Sequence, residues 1–238
     1  MTQSTDLGML LLHALPLDGR MWQNQLQIMP ERTVVPNLYD FGNDINSWAA
    51  MSVSHVPQSR FIVVGCSVGG SCALEVINLV PDRVAAVILI GTKARCDPDP
   101  ISYSEACETV VDQGVAGAWD RYWKPLFESD GISAIAQRAK EIALDQSTKG
   151  LMNGLDAFYT RPSREHVVTE SKVPIHIVTG DRDELPGLNY SRRLATLSDN
   201  ARLHVIKDCG HYVPMMQPKA LNELIADVIR DADADSVW

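Results

Sequence analysis

The sequence predicts an α/β fold: a mostly parallel, doubly wound sheet with helices on both faces, interrupted by a helical insertion. Three observations lead there. An apolar run, Phe61-Ile62-Val63-Val64, ends in Gly65-Cys66-Ser67-Val68-Gly69 and resumes with helical spacing at Val68, Cys72, Val76 and Leu79. Four such β-then-α units follow one another in the first part of the chain, and serial units of this kind imply parallel strands joined by right-handed crossovers. After Asp97-Pro98-Asp99-Pro100 the strand signal stops for about seventy residues and then returns.

Taken in order, Met9 to Leu12 is an apolar strand that ends in the loop His13-Ala14-Leu15-Pro16-Leu17-Asp18-Gly19. Met21, Trp22, Leu26 and Met29 then have the spacing of a short amphipathic helix. Thr33-Val34-Val35 is a second, short strand; a loop to Gly42 and a helix from Ile45 to Met51 follow it. The strand and helix around Ser67 come third, and Val84 to Ile90 is a wholly apolar strand closed by Gly91-Thr92. From Pro98 to His166 the chain reads as helices broken at Gly114, Gly117, Pro125, Gly131, Gly150 and Pro162. The α/β pattern returns with a strand over Pro174 to Gly180, a helix over Leu188 to Leu197, a strand over Arg202 to Ile206 and a last helix over Pro218 to Ile229. From Asp231 to Trp238 the tail is expected to fray, with Trp238 docking on the surface. The expected division is a core of 1–97 and 167–238 and a helical insertion of 98–166.

A chain of 238 residues, 45% hydrophobic and 21% charged, can bury one sizeable core. Its net charge of −9 argues against nucleic acid or an anionic membrane as main partner and favours a small, neutral or apolar substrate. Five cysteines without Cys-x-x-Cys spacing suggest neither a disulfide framework nor a zinc site, and they are expected to be reduced and mostly buried. The N-terminus lacks a basic region and no apolar run approaches a membrane span, so the expected location is cytoplasmic.

Ser67 sits where a strand turns sharply into a helix, and Gly65 and Gly69 are the small residues that such a turn needs two positions either side. The plainer alternative is that Ser67 only caps the helix. As a nucleophile it would need a base for its proton and a carboxylate to hold that base in one tautomer. Cys209-Gly210-His211-Tyr212-Val213-Pro214 puts a histidine directly after the last strand, whereas His176 and His204 lie inside strands and His55 and His166 have no motif around them. Gly180-Asp181-Arg182-Asp183-Glu184 offers three carboxylates at the carboxyl end of the preceding strand, where functional loops of an open parallel sheet converge. Ser71, one helical turn after Ser67, is expected to point along the helix and away from the site. The insertion holds seven of the fifteen aromatic residues, and Trp119, Trp123 and Phe158 are its candidates for a pocket wall; holding the insertion onto the core is the competing role.

With Ser67, an acid in the 180–184 loop and His211 in that order, the chain resembles the α/β-hydrolase superfamily nearly end to end. His13-Ala14, the elbow, Pro81-Asp82-Arg83-Val84, the cap-like insertion, Gly180-x-x-Asp183 and Gly210-His211 all contribute to the resemblance. It implies a nucleophile at Ser67, an acid at Asp183, a base at His211, and an oxyanion hole from the backbone N–H groups of Val68 and Leu15. It implies neither cofactor nor metal. If Asp183 fails, Asp97 is next, because some relatives place the acid after the preceding strand. Two departures stand out: Ala14 replaces a common glycine, which would cost about 1 kcal/mol if that site needs a positive φ, and the usual N-terminal β-hairpin has no counterpart, leaving about six strands. The activity expected is hydrolysis of a small apolar or aromatic ester or lactone through an acyl-enzyme. Carbon–carbon bond hydrolysis or other triad chemistry on the same fold, and a non-catalytic small-molecule binding or signalling role, are the alternatives.

Overall fold

The computed structural model describes residues 6–128 and 134–234. In chain order, β1 (Leu7–Leu12) leads through a 3-10 turn at Gly19–Trp22 to β2 (Thr33–Val34), α1 (Ile45–Ser54), β3 (Arg60–Cys66), α2 (Val68–Leu79) and β4 (Val84–Ile90). Helices alone follow: α3 (Pro100–Ala118), a π turn at Trp119–Trp123, α4 (Pro125–Glu128), α5 (Ala134–Leu144), α6 (Thr148–Thr160) and α7 (Glu165–Glu170). The chain then re-enters the sheet with β5 (Ile175–Gly180), α8 (Leu188–Ala195), β6 (Ala201–Ile206), α9 (Val213–Met216) and α10 (Pro218–Ala234). The six strands form one sheet in the order β2-β1-β3-β4-β5-β6, and every pair is parallel.

Sequence pattern and burial agree strand by strand. The wholly apolar β4 is buried at every position, and β1 and β5 are too; the edge strands β2 and β6 are partly exposed. Helices on both faces account for this, since a parallel sheet covered on both sides needs no polar alternation. Because all strands run one way, the loops after β1, β3, β4, β5 and β6 emerge at the same edge.

Three expected elements differ. The segment after Gly19 turns through i→i+3 bonds instead of forming a regular amphipathic helix; Asp18 caps Arg20 N–H, and the buried Gln25 amide donates to Asn222 in α10. Gly114, at φ 68°, kinks α3, but Gly117 and Gly150 do not break their helices. Helix α10 runs on to Ala234 because Ala232 is buried, so the tail is helical to that point. Gly131 and Trp238 lie outside the described residues. Among the described residues, no helix is long and apolar enough to cross a membrane. Cys66, Cys72 and Cys209 are buried and all five cysteines are free thiols.

The helices between β4 and β5 are tied to the sheet by polar contacts. Arg164 Nε donates to the buried Glu75 of α2 at 2.6 Å, and Asn153 Nδ2 donates to the Tyr39 carbonyl at 3.0 Å. His13, wholly buried behind β1, accepts Leu38 N–H on Nε2 at 2.9 Å, so its proton sits on Nδ1. Burial pushes its pKa down to about 4 from 6.5.

A depressed histidine pKa means that the unfolded chain takes up a proton that the fold refuses. The stabilisation is complete above pH 6.5 and is lost as pH falls toward 4. For His13 alone this amounts to about 3 kcal/mol. Urea unfolding of wild type and His13→Asn between pH 7 and 4 should show the steeper loss in wild type; parallel curves would show that His13 does not carry it.

Candidate active site

Ser67 occupies the turn between β3 and α2 at φ 53°, ψ −116°, and it shares positive φ with only one other described non-glycine residue, Asp208. Such a backbone costs on the order of 1–2 kcal/mol and persists only where its surroundings over-determine it. Here they do: Ser67 N–H donates to the Ile90 carbonyl at 2.8 Å, and its own carbonyl accepts from Gly70 and Ser71. A Cβ at Gly65 would run into the Gly69 carbonyl, and one at Gly69 into the Leu12 carbonyl. The hydroxyl makes no cap hydrogen bond, so the plainer role of helix cap does not fit it.

His211 follows β6 and Asp183 follows β5. His211 Nδ1 lies 3.1 Å from each Asp183 carboxylate oxygen, and both residues are buried. That contact puts the Nδ1 proton toward Asp183 and leaves Nε2 as the basic nitrogen. Leu185 N–H, 2.8 Å from Asp183 Oδ1, fixes the carboxylate in turn. The two loops are knitted together: Asp181 Oδ1 accepts Cys209 N–H at 3.1 Å and Arg182 N–H donates to the Cys209 carbonyl at 2.9 Å. Asp181 therefore holds the turn that carries His211, while Glu184 is exposed. Asp97, the reserve candidate, is exposed and paired with Arg95 at 2.8 Å. Behind the imidazole, Gly91 has φ 55°, and a Cβ there would stand 2.8 Å from His211 Cε1. The sequence reading noted Gly91 only as the end of a strand; its close approach to His211 depends on a tertiary contact.

The backbone N–H groups of Val68 and Leu15 donate to no described residue, and Val68 is the first residue of α2, where N–H groups point out of the helix end. Ala14 is not among the positive-φ residues, so the alanine carries no strain. Leu15 is held from its other side: Tyr212 Oη donates to its carbonyl at 2.7 Å, and the Tyr212 ring stacks on Phe127 at 4.4 Å. Sequence reading missed Tyr212, although it directly follows His211.

Ser67 and His211 open onto one cavity of about 260 Å³, walled by Tyr122, Trp123, Phe158 and Tyr159 from the insertion. Among the described residues no hydrogen bond joins Ser67 to His211. Trp123 and Phe158 line the cavity, and Trp119 does not: it is 1% exposed and packs on Phe127 at 5.6 Å. Trp119 opens the π turn, which is closed by a Lys124 N–H to Trp119 carbonyl bond at 2.9 Å, and it packs toward α4, whereas Trp123 at the end of the turn lines the cavity. Ser71 lines the cavity as well, so the expectation that it points away from the site is corrected.

A family model described as "Alpha/beta hydrolase family" matches residues 9–224, and the chain belongs to that family. It is similar, at 24% identity over 93% of its length and 98% of the other protein, to pimeloyl-[acyl-carrier protein] methyl ester esterase of Aromatoleum aromaticum. It is also similar to 2-hydroxymuconate semialdehyde hydrolase of a Pseudomonas species, at 22% identity over 91% of this chain and 84% of that one. Among solved structures, a thermophilic esterase from Thermogutta terrifontis superposes with a TM-score of 0.84 at 23% identity, covering 95% of this chain and 90% of that one; at that identity the likeness speaks for the fold.

If Asp183 orients His211, Asp183→Asn should lower turnover by about four orders of magnitude, since an amide can hold the wrong tautomer. Asp181→Asn keeps an acceptor for Cys209 N–H and should cost less than tenfold. Steady-state kinetics on any turned-over ester decides it, and the reverse ranking would move the acid to Asp181.

Proposed function

Taking the alpha/beta hydrolase as premise, we propose that this chain is a serine hydrolase that cleaves a small ester or lactone through Ser67, His211 and Asp183. The observation that carries the reading is the buried Asp183–His211 contact at 3.1 Å, opening onto the same cavity as a serine held at φ 53°. His211 Nε2 takes the Ser67 proton as Oγ bonds to the carbonyl carbon, and the Val68 and Leu15 amides donate to the oxyanion. On collapse, His211 returns the proton to the leaving alkoxide, giving an acyl-enzyme. Water, deprotonated by His211, then adds to the acyl carbon; Ser67 departs and recovers the proton, releasing the acid. The helices from α3 to α6 act as a cap that grips the non-reacting part of the substrate. Similarity to 2-hydroxymuconate semialdehyde hydrolase favours a second reading, hydrolysis of a carbon–carbon bond with the same residues.

An alkyl fluorophosphonate should label Ser67, and Ser67→Ala should lose about a million-fold in turnover while melting as wild type does. An active Ser67→Ala enzyme would end the serine-hydrolase reading. A folded wild type that turns over neither esters nor carbon–carbon substrates would favour a binding role.

The two tryptophans separate cap from core. Trp123→Ala should reorder a panel of esters of different acyl chains while changing acetate ester turnover little, because small substrates cannot use remote binding energy. Trp119→Ala should instead lower stability by about 3–5 kcal/mol and leave the ranking in place. Identical rankings for wild type and Trp123→Ala would take Trp123 out of substrate binding.

A further inference from the structure

We propose that the cavity selects substrates that carry a carboxylate, with the guanidinium of Arg161 as the anionic subsite. The inference rests on the hydrolase reading of the same cavity and adds the substrate class to it.

Arg161 lines the cavity and is only 9% exposed. Pro162 follows it, which bars Arg161 from helical backbone; at ψ 139° it ends α6. Its Cζ lies 4.0 Å from the centroid of the Phe158 ring, another wall residue. One Nη1 hydrogen bond goes to the Phe158 carbonyl; Nε is buried with no acceptor, and Nη2 has none among the described residues. No carboxylate of a described residue pairs with it, in contrast to Arg164, three residues on, whose Nε meets Glu75 at 2.6 Å. Burial draws the Arg161 pKa below its ordinary value, yet a guanidinium stays protonated in proteins.

A buried cation without a counter-ion is costly, and nothing in the composition makes it a matter of chance: the chain is acidic overall, at −9. Lys93, exposed on the rim of the same cavity and without an ion pair among the described residues, adds a second positive charge. A ligand anion completes Arg161. A carboxylate fits better than a phosphate, because one buried guanidinium balances one charge and its planar fork matches a carboxylate edge. A dianion would place its second charge beside Arg161 between the aromatic walls, away from Lys93 on the exposed rim. The substrate expected is therefore an ester or lactone whose apolar body lies along Tyr122, Trp123 and Phe158 and whose far end is a carboxylate. This replaces the neutral or apolar substrate that the net charge suggested.

Capping the Phe158 carbonyl accounts for one donor of Arg161 and leaves the rest unexplained. The test therefore reads selectivity. Monoethyl esters of adipic, pimelic and suberic acid are compared with the same esters whose free acid is replaced by a neutral amide. Wild type should favour at least one acid by about ten- to a hundredfold in kcat/KM. Arg161→Met should bring that ratio to about one whatever the overall rate, and Arg161→Lys should keep an intermediate ratio. No preference in wild type, or the same ratio in Arg161→Met, overturns the subsite while ester turnover continues to support the hydrolase. If Arg161→Met does not fold, the wild-type preference and Arg161→Lys decide. Calorimetry with Ser67→Ala separates the two readings: binding of phenylacetate over phenylacetamide supports the subsite even if no ester is turned over, and equal binding overturns it.

Discussion

The turn at Ser67 constrains more of this molecule than any other feature. A residue with a Cβ is held in a backbone region that disfavours one, and the fold tolerates this because the turn is closed on every side. Ile90 at the end of β4 accepts its N–H, α2 begins on its carbonyl, and β1 lies so close that the Leu12 carbonyl leaves no room for a Cβ at Gly69. Strand order follows from the same crowding. With β3 flanked by β1 and β4, the loops that supply the Leu15 amide and Gly91 arise on either side of the serine.

The Asp183–His211 pair depends on a second close approach. Gly180 ends β5 against the Cys209 and Gly210 carbonyls, so neighbouring strands deliver Asp183 and His211 at nearly the same height. Asp181 and Asp183 divide the work: the exposed carboxylate ties down the β6 loop, and the buried one faces the imidazole. Hydrogen bonds to Cys209 and Asp208 amides keep the Asp181 pKa below its ordinary value, as a turn-capping carboxylate requires.

Most of the fold was legible because its information is local. Apolar runs in β1, β3, β4 and β5 carry their own burial, and the glycines around Ser67 mark a backbone event within five residues. His211 was legible because it directly follows the last strand, next to Gly210, while His176 and His204 lie inside strands, and Asp183 only through spacing from Gly180 that a family resemblance supplied. What was not legible depends on geometry that residue spacing misstates or omits. Trp119 packs on Phe127 in the core, Ser71 lines the cavity, and Ala14 has no positive φ to strain it, and each of these is set by tertiary placement. Arg161 could have been noticed as the residue before Pro162, but its missing counter-ion is a property of the surroundings, which no window of sequence contains.

Tyr212 shows how the parts are joined. Its backbone follows His211, its hydroxyl holds the Leu15 carbonyl, and its ring is stacked on Phe127 of α4. One residue thus joins the loop that carries His211, the loop that carries Leu15, and the insertion that walls the cavity. Burial holds the phenol protonated, well above its ordinary pKa, so the hydroxyl remains a donor to Leu15. Phe127 of α4, the Tyr212 ring and hydroxyl, and the Leu15 carbonyl therefore form one continuous chain of contacts beside the cavity.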